Sequence, residues 1–306
     1  MLNLFKILLI TILITKLFYN NYLFATTYKI FNPNSRIIGN NINFIIPLNN
    51  KYSLEHFSAK FQVGITNMLE ANPNLDVYLP KSCTKVIIPK KMILPDTLHK
   101  GIIINSAEMR LYFFLKNNKV IVFPIGIGEI GNETPRNWIT YVKYKKSNPI
   151  WIPTKNIRDE YMRNGQCIPK IFPAGPSNPM GLFALYLGNY YAIHGTNSKF
   201  GIGLRISHGC VRLRDNDIKF LFKNVPVGTR VQFINEPIKI TKEPNNMIYL
   251  EVHQPLSSNK REFMSKKILP IKINEYIKKF IVNNHVNIKK FNNELNRRSG
   301  IPIIIN

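Results

Sequence analysis

The sequence predicts a mostly β main unit with few helices, preceded by a small α+β module. Three observations carry this reading. From Gly101 onward, short apolar segments alternate with Asn- and Gly-containing turn signals, the pattern of a β-rich fold. Ahead of it, apolar spacing and capping residues read strand, helix, helix, strand. The chain has 306 residues, 45% of them hydrophobic and 11% aromatic, enough for two folded units plus appendages at about 100–200 residues each and too apolar for intrinsic disorder.

The first residues set the expected compartment. Met1–Lys6 carries positive charge, Ile7–Thr15 is uncharged and mostly apolar, and Lys16 ends the run. Such a run is too short to span a bilayer, which takes about 20 apolar residues, but it suits a secretory segment. Leu23 and Ala25 offer a cleavage site, so residues 1–25 are expected to be a signal peptide, with an uncleaved anchor as the alternative. No transmembrane span is expected in the mature chain.

Residues 42–90 form the expected small module. Asn43–Ile46 is a strand stopped by Pro47, and Ser53 is placed to cap a helix with Leu54, Phe57 and Phe61 on one face. Thr66 is placed to cap a second helix that contains Met68 and Leu69 and stops at Asn72-Pro73. Leu79-Pro80 and Val86–Pro89 close the unit. The Ser53-Leu54 start, the Glu70-Ala71-Asn72-Pro73 helix end and the closing Val86-Ile87-Ile88-Pro89 resemble a LysM domain, a glycan-binding fold. An uncommitted α+β spacer is the plainer alternative.

Pro95–Lys100 is the linker to the main unit, residues 99–234. Strands are expected at Ile102–Ile104, Arg110–Leu115 and Val120–Ile125, the last two joined at Asn117-Asn118. Gly126, Gly128 and Gly131 follow Pro124 with no helix behind them, so they are loop glycines and not a dinucleotide fingerprint. Residues 164–180 are rich in Pro and Gly and read as irregular. Leu182–Leu187, Gly188-Asn189 and Tyr190–Ile193 make a hairpin. A helix over Asp215–Phe222, a turn at Gly228 and a strand at Arg230–Ile234 complete the unit. Residues 235–306 form a C-terminal extension of low β signal, with a basic helix expected around Ile273–Lys290 and an apolar end at Ile301–Ile305.

Charge excludes less than its size suggests. With 42 basic and 17 acidic residues the net charge is +25, yet the lysines are scattered among abundant Asn and Ile, as in an A/T-rich coding sequence. No nucleic-acid reader motif is present, so nucleic acid is not an expected partner. The same field attracts an anionic cell-wall polymer. Three cysteines, Cys83, Cys167 and Cys210, are too few for a disulfide framework; small buried hydrophobes are the default, and a Cys83–Cys167 bridge stays open.

The chemistry concentrates in His194-Gly195-Thr196 and Ser207-His208-Gly209-Cys210-Val211-Arg212-Leu213. A thiol attacks as thiolate, which needs an imidazole or positive surroundings. On an extended backbone His208 and Cys210 share a face about 6–7 Å apart at Cα, and His194 ends the preceding hairpin strand. Tyr161 through Arg214 contains no Asp or Glu, while Arg205, Arg212 and Arg214 flank the cysteine. These features predict a thiolate-favouring field and a base oriented by a backbone carbonyl, at Gly195 or Gly209. Gly209 also lets backbone N–H groups approach an oxyanion. Zinc bound by two His and one Cys is the competing reading, and it needs a distant fourth ligand.

These segments resemble the YkuD-type L,D-transpeptidases, whose signature is His-Gly followed by Ser/Thr-His-Gly-Cys; Asn178-Pro179-Met180-Gly181 and Thr134-Pro135 agree with it. The order of signal, LysM-like module, catalytic domain and C-terminal extension is similar to the ErfK/YbiS group of enterobacterial periplasmic enzymes. The resemblance implies a YkuD-like β-rich fold and a periplasmic enzyme acting on peptidoglycan tetrapeptide stems. It implies that Cys210 attacks the L-centre carbonyl of meso-diaminopimelate and expels D-Ala. An amine then resolves the thioester: the C-terminal Lys of an outer-membrane lipoprotein, or a second diaminopimelate side chain. It assigns acid–base work to His194 and support to His208, with Gly195, Ser207, Gly209 and Arg212 supporting or binding substrate. Arg212 stands where one common form of the signature has Asn, and a contact with an acidic stem peptide is its expected role. No metal or organic cofactor is implied. Hydrolysis of the same thioester, or a wall-binding protein without activity, are the alternatives. On this reading residues 101–234 act alone on soluble stems, and Cys210 is the thiol alkylated fastest.

Overall fold

The structure is a computed structural model that describes residues 25–198, 200–265 and 268–306. Apart from Ala25, the expected signal peptide lies outside the described residues.

The N-terminal part gives β1 (Thr26–Lys29), β2 (Ile37–Ile38), β3 (Ile42–Ile45), α1 (Leu54–Lys60), α2 (Ile65–Ala71), β4 (Lys85–Ile88) and β5 (Met92–Ile93). β3 and β4 pair antiparallel, and the two helices cover Ile46, Phe57, Met68 and Ile88 in a small core. Ser53 caps α1, its side chain accepting from His56 N. The cap of α2 is Gly64, not Thr66, which lies within the first turn and donates its hydroxyl to the Gly203 carbonyl. Asn72 ends α2 by donating to the Met68 and Ile87 carbonyls and accepting from Ile87 N at 2.7 Å.

The main unit runs β6 (Gly101–Asn105), β7 (Arg110–Leu115), β8 (Lys119–Pro124), β9 (Ile127–Gly128), β10 (Trp138–Tyr141), β11 (Tyr144–Ser147), α3 (Lys155–Arg163), β12 (Phe183–Gly188), β13 (Tyr191–His194), β14 (Arg205–Ser207), β15 (Val211–Arg212), α4 (Asp215–Asn224) and β16 (Arg230–Ile234). Six strands form one sheet in the order β1–β8–β7–β6–β16–β10, and four form a second, β11–β12–β13–β15. Alternation splits the first sheet cleanly. Ile102, Ile104, Leu111, Phe113, Ile121 and Phe123 face the second sheet and α4, while Ile103, Tyr112, Val120 and Val122 face the opposite way. Both hairpin turns fit their sequences: Asn117 and Asn118 each adopt positive φ, as do Asn189 and Tyr190. Helix α3 is an addition to the sequence-based expectation: it is short and strongly polar, and none of its residues is buried.

The extension differs from its expectation. It holds β17 (Ile238–Lys242), β18 (Ile248–Val252), α5 (Lys260–Met264), α6 (Glu275–Asn283), α7 (Ile288–Arg297) and β19 (Ile303–Ile304). β17, β18 and β19 form an antiparallel sheet where little β signal is expected; β17 alternates Ile and polar residues, yet Lys239 and Thr241 are buried along with Ile238 and Ile240. The expected single helix around 273–290 is two, interrupted at His285 with φ +50°.

A buried ionic cluster joins the three parts. Arg110 reaches Glu108 at 2.8 Å and Glu251 at 2.7 Å, and Lys239 lies 2.7 Å from Glu108 and 3.1 Å from Glu251. His253 bonds Glu70 of α2 at 2.7 Å and Glu251 at 2.9 Å. Burial alone would lower the His253 pKa, but those two carboxylates raise it to about 9. Three carboxylates therefore face three cations at pH 7, which is what makes so dry a cluster tolerable.

The second face of the six-stranded sheet, extended by Tyr28 of β1, is covered by residues that precede the main unit: Ile38, Met92 and Leu94. This packing argues against residues 101–234 acting alone. Deleting residues 26–95 removes an edge strand and uncovers Ile103, Tyr112 and Val122; at roughly 1.5–3 kcal/mol per large apolar side chain, loss of the cooperative fold is expected. Urea unfolding of the truncated chain checks this, and native-like cooperativity would contradict it.

Candidate active site

The site is built where β13 and β15 run parallel, with Ile193 opposite Val211 and His194 opposite Arg212. Ile193 and Val211 enter the main core, so the pleat turns Ala192 and His194, and Cys210 and Arg212, to the other face. All four line a groove of about 610 Å³ together with His208, Ser207 and the aromatic walls Trp151, Tyr186, Tyr190 and Tyr191. The irregular segment before β12 forms one wall because Asn178, buried, staples it. Its Nδ2 donates to the carbonyls of Pro149, Phe172 and Pro173, and its Oδ1 accepts from Met180 N at 2.9 Å.

Cys210 sits partly buried against Met180, Ala184 and Ala192, its Sγ 3.7 Å from the Tyr190 carbonyl oxygen. Burial pushes the thiol pKa up, outweighing the downward pull of a backbone hydrogen bond at Ala192 and of Arg212. The expectation of a resting thiolate is thus corrected, and the arginines explain why. Arg205 turns to Glu133 at 3.2 Å and to Ser257, and Arg214 turns to Glu55 at 3.4 Å; of the three, Arg212 alone lines the groove.

His194 is buried, with Nδ1 2.6 Å from the Gly195 carbonyl oxygen. A carbonyl only accepts, so Nδ1 carries the proton and Nε2 keeps its lone pair. Burial, then Arg212, lower its pKa to about 4 against the upward pull of the Gly195 and Met180 backbone. His194 is a neutral imidazole at pH 7, oriented by the carbonyl of one of the two glycines anticipated.

His208 behaves otherwise. Gly209, at φ +101°, breaks the chain between β14 and β15, so the extended geometry expected for His208 and Cys210 does not form. The His208 Nε2 lies 3.5 Å from Glu160 and 3.7 Å from Glu129, and its ring stacks on Tyr161. This corrects the picture of a site without carboxylates: both acids come from outside the stretch between Tyr161 and Arg214. A side chain at Gly209 would meet the Tyr191 ring at 3.0 Å as well as the unfavourable φ. Its carbonyl accepts from Thr134 Oγ1 at 2.8 Å, which in turn accepts from Gly128 N. Ser207 Oγ donates to the Cys210 carbonyl at 2.5 Å, and Arg212 exchanges both backbone bonds with Gly126 at 2.9 Å.

Among the described residues, the cluster with metal-ligand spacing at this site is Glu129, Glu160 and His208, not the two histidines and the cysteine of the zinc reading. Glu108, Glu251 and His253 are equally close, but Arg110 and Lys239 already fill that space.

The protonation states predict a pH signature. A thiol raised by burial carries less thiolate at pH 7 than an exposed one, so limiting iodoacetamide should modify exposed Cys83 and Cys167 first. The Cys210 share should climb as pH rises past the ordinary thiol range near 8.5. Peptide mapping at pH 7 and pH 10 checks the order, which reverses the expectation from sequence. Cys83 and Cys167 are free, so the bridge between them is not formed.

The family pattern of the L,D-transpeptidase catalytic domain matches residues 99–233, and that of the L,D-transpeptidase C-terminal domain matches residues 237–305. The chain is 51% identical over 290 residues to "Probable L,D-transpeptidase ErfK/SrfK" of Escherichia coli K12, covering 94% of each. It is 52% identical over 283 residues to "Probable L,D-transpeptidase YbiS" of the same strain, covering 92% of each, and 42% identical over 284 residues to "Probable L,D-transpeptidase YcfS", covering 91% of this chain and 88% of that one.

Proposed function

The chain belongs to the L,D-transpeptidases, and from that premise we propose an exported, periplasmic enzyme that acylates Cys210 with a peptidoglycan tetrapeptide stem and passes the acyl group to an amine. The observation that carries the proposal is the neutral His194, its tautomer fixed by Gly195, on the same sheet face as Cys210.

The steps balance through these two residues. His194 Nε2 takes the Cys210 proton as Sγ bonds to the L-centre carbonyl carbon of meso-diaminopimelate. The amide bond to D-Ala breaks, the proton passes to the departing amine, and a thioester remains. An incoming amine then attacks the thioester, His194 takes its proton, and the thiol is restored. The buried thiol fits this sequence, since proton transfer accompanies attack and no standing thiolate is needed. Arg212, in the groove beside the thiol, suits a carboxylate of the stem, and the glycine at 209 is proposed to let backbone N–H groups approach the developing oxyanion. Ser207 fixes the Cys210 carbonyl, and His208, held by Glu129 and Glu160, supports the loop.

The C-terminal Lys of an outer-membrane lipoprotein is the proposed acceptor; diaminopimelate and water are the alternatives. The 42–90 module is proposed to bind glycan as a LysM-like unit, with half-exposed Tyr52 stacked on His56 and the nearly bare Tyr78 as flat faces for sugar rings. The test is incubation with a tetrapeptide muropeptide, with and without an amine acceptor. Mass spectrometry should find D-Ala loss, a Cys210 adduct and an acceptor-dependent product. No adduct would overturn the proposal, and a tripeptide formed regardless of acceptor would favour hydrolysis.

A further inference from the structure

The loop that delivers Cys210 does not stand on its own domain alone. Its approach, residues 201–208, is held to the main unit by Gly203 N on the Ile125 carbonyl at 2.9 Å and by the short parallel pair β14–β9. A two-stranded pair this short is marginal by itself. The N-terminal module supplies the missing side. Leu204 packs into the module core, Ile65 N donates to the Ile202 carbonyl, and Thr66 Oγ1 donates to the Gly203 carbonyl. Backbones touch here: a Cβ on Gly203, at φ +90°, would lie 2.5 Å from Ile65 N and 2.7 Å from Gly64 Cα.

A second link grips the chain beyond the cysteine. Arg214, next but one after β15 and the cap of α4, pairs with Glu55 of α1 at 3.4 Å and donates to the Val63 carbonyl at 3.3 Å. Both side chains are largely shielded, at 14% and 13% exposure, so solvent screens the pair less than at a surface. The module is itself anchored on its far side, through Glu70 to His253 of the C-terminal unit. It is therefore a rigid backing, not a tethered passenger.

We propose that Thr66 and Glu55 of the N-terminal module are positioning residues for the transferase reaction, clasping the active-site segment on both sides of Cys210. The proposal rests on the reading of Cys210 as nucleophile. The two links bracket a span in which Ser207, His208, Gly209 and Cys210 must keep register with His194, and a 1 Å misplacement of a reacting group can cost about 10²-fold.

The experiment uses the full chain and a soluble tetrapeptide stem without glycan, so that any affinity of the module for polymer cannot influence the result. Thr66→Val keeps the shape and removes the donor, Thr66→Ser restores it, and Glu55→Gln removes the charge. Thr66→Val and Glu55→Gln should each lower kcat about tenfold with KM little changed, more than tenfold together, while Thr66→Ser stays near wild type. Unchanged kcat in the folded Thr66→Val and Glu55→Gln variants would overturn the proposal, as would a loss that Thr66→Ser shares. Thermal melting separates unfolding from misplacement; should Glu55→Gln not fold, the Thr66 pair decides. The wild-type Cys210 adduct keeps the two readings apart: its absence sinks the nucleophile, whereas its presence with indifferent variants sinks only the clasp.

Discussion

Replacing Cys210 with alanine is expected to abolish turnover of a tetrapeptide stem, a loss on the order of 10⁶-fold as for other enzymes deprived of their nucleophile. No neighbouring group can substitute. Cys83 and Cys167 are exposed elsewhere, and Ser207 is buried with its hydroxyl committed to the Cys210 carbonyl. The fold should survive, because the side chain packs only at the edge of a small cluster of Met180, Ala184 and Ala192, and removing one sulfur opens the site toward the groove. Two measurements check this together: the thermal midpoint should stay close to wild type while the acyl adduct disappears from the mass spectrum. A variant that still releases D-Ala would place the nucleophile elsewhere.

The parts of this site that were legible in the sequence are those fixed by local chain geometry. His194 closes a hairpin whose Gly188-Asn189 turn announces itself, and Cys210 follows Gly209 directly, so the strand pairing that joins them could be anticipated. The main strands were equally visible, since apolar segments between Asn turns leave little choice of element. What stayed hidden depends on residues distant in sequence. Glu129 and Glu160 approach His208 only through tertiary folding, so a count of acids along the local stretch missed both. The same count made Arg205 and Arg214 look like neighbours of the thiol, when Glu133 and Glu55 draw them away.

Burial was the other blind spot. Local charge argued for a low thiol pKa, yet desolvation, which no sequence window reports, reverses the sign. Lys239 and Glu251, charged residues in strands β17 and β18, hid that sheet for a related reason. Their partners Glu108 and Arg110 lie well over a hundred residues earlier, and only the folded cluster makes their burial affordable.

His194→Ala is expected to cost more than His208→Ala, and the contrast follows from what each ring touches. His194 is neutral and buried, with Nδ1 held by the Gly195 carbonyl and the Met180 backbone also beside the ring, and Nε2 is the proposed proton acceptor on the thiol's face of the sheet. Removing a general base typically costs about 10²–10⁴-fold, and His194→Ala should reach or exceed that range. Its pH profile supplies a further check. With a pKa lowered to about 4, His194 stays unprotonated through pH 5–8, so the acid limb of kcat/KM should lie well below the ordinary histidine range. A limb near 6.5 would point to a different base. His208 is engaged with Glu129, Glu160 and Tyr161, and its removal should loosen the Ser207–Cys210 segment without taking away a proton acceptor. A loss about tenfold or less is expected for His208→Ala, with the slope of the acid limb retained. Both variants are to be compared at matched thermal stability, on the same soluble stem. If His208→Ala proved the more damaging while folded, the proton would have to travel through the ring beside the carboxylates, and the roles assigned to the two histidines would exchange.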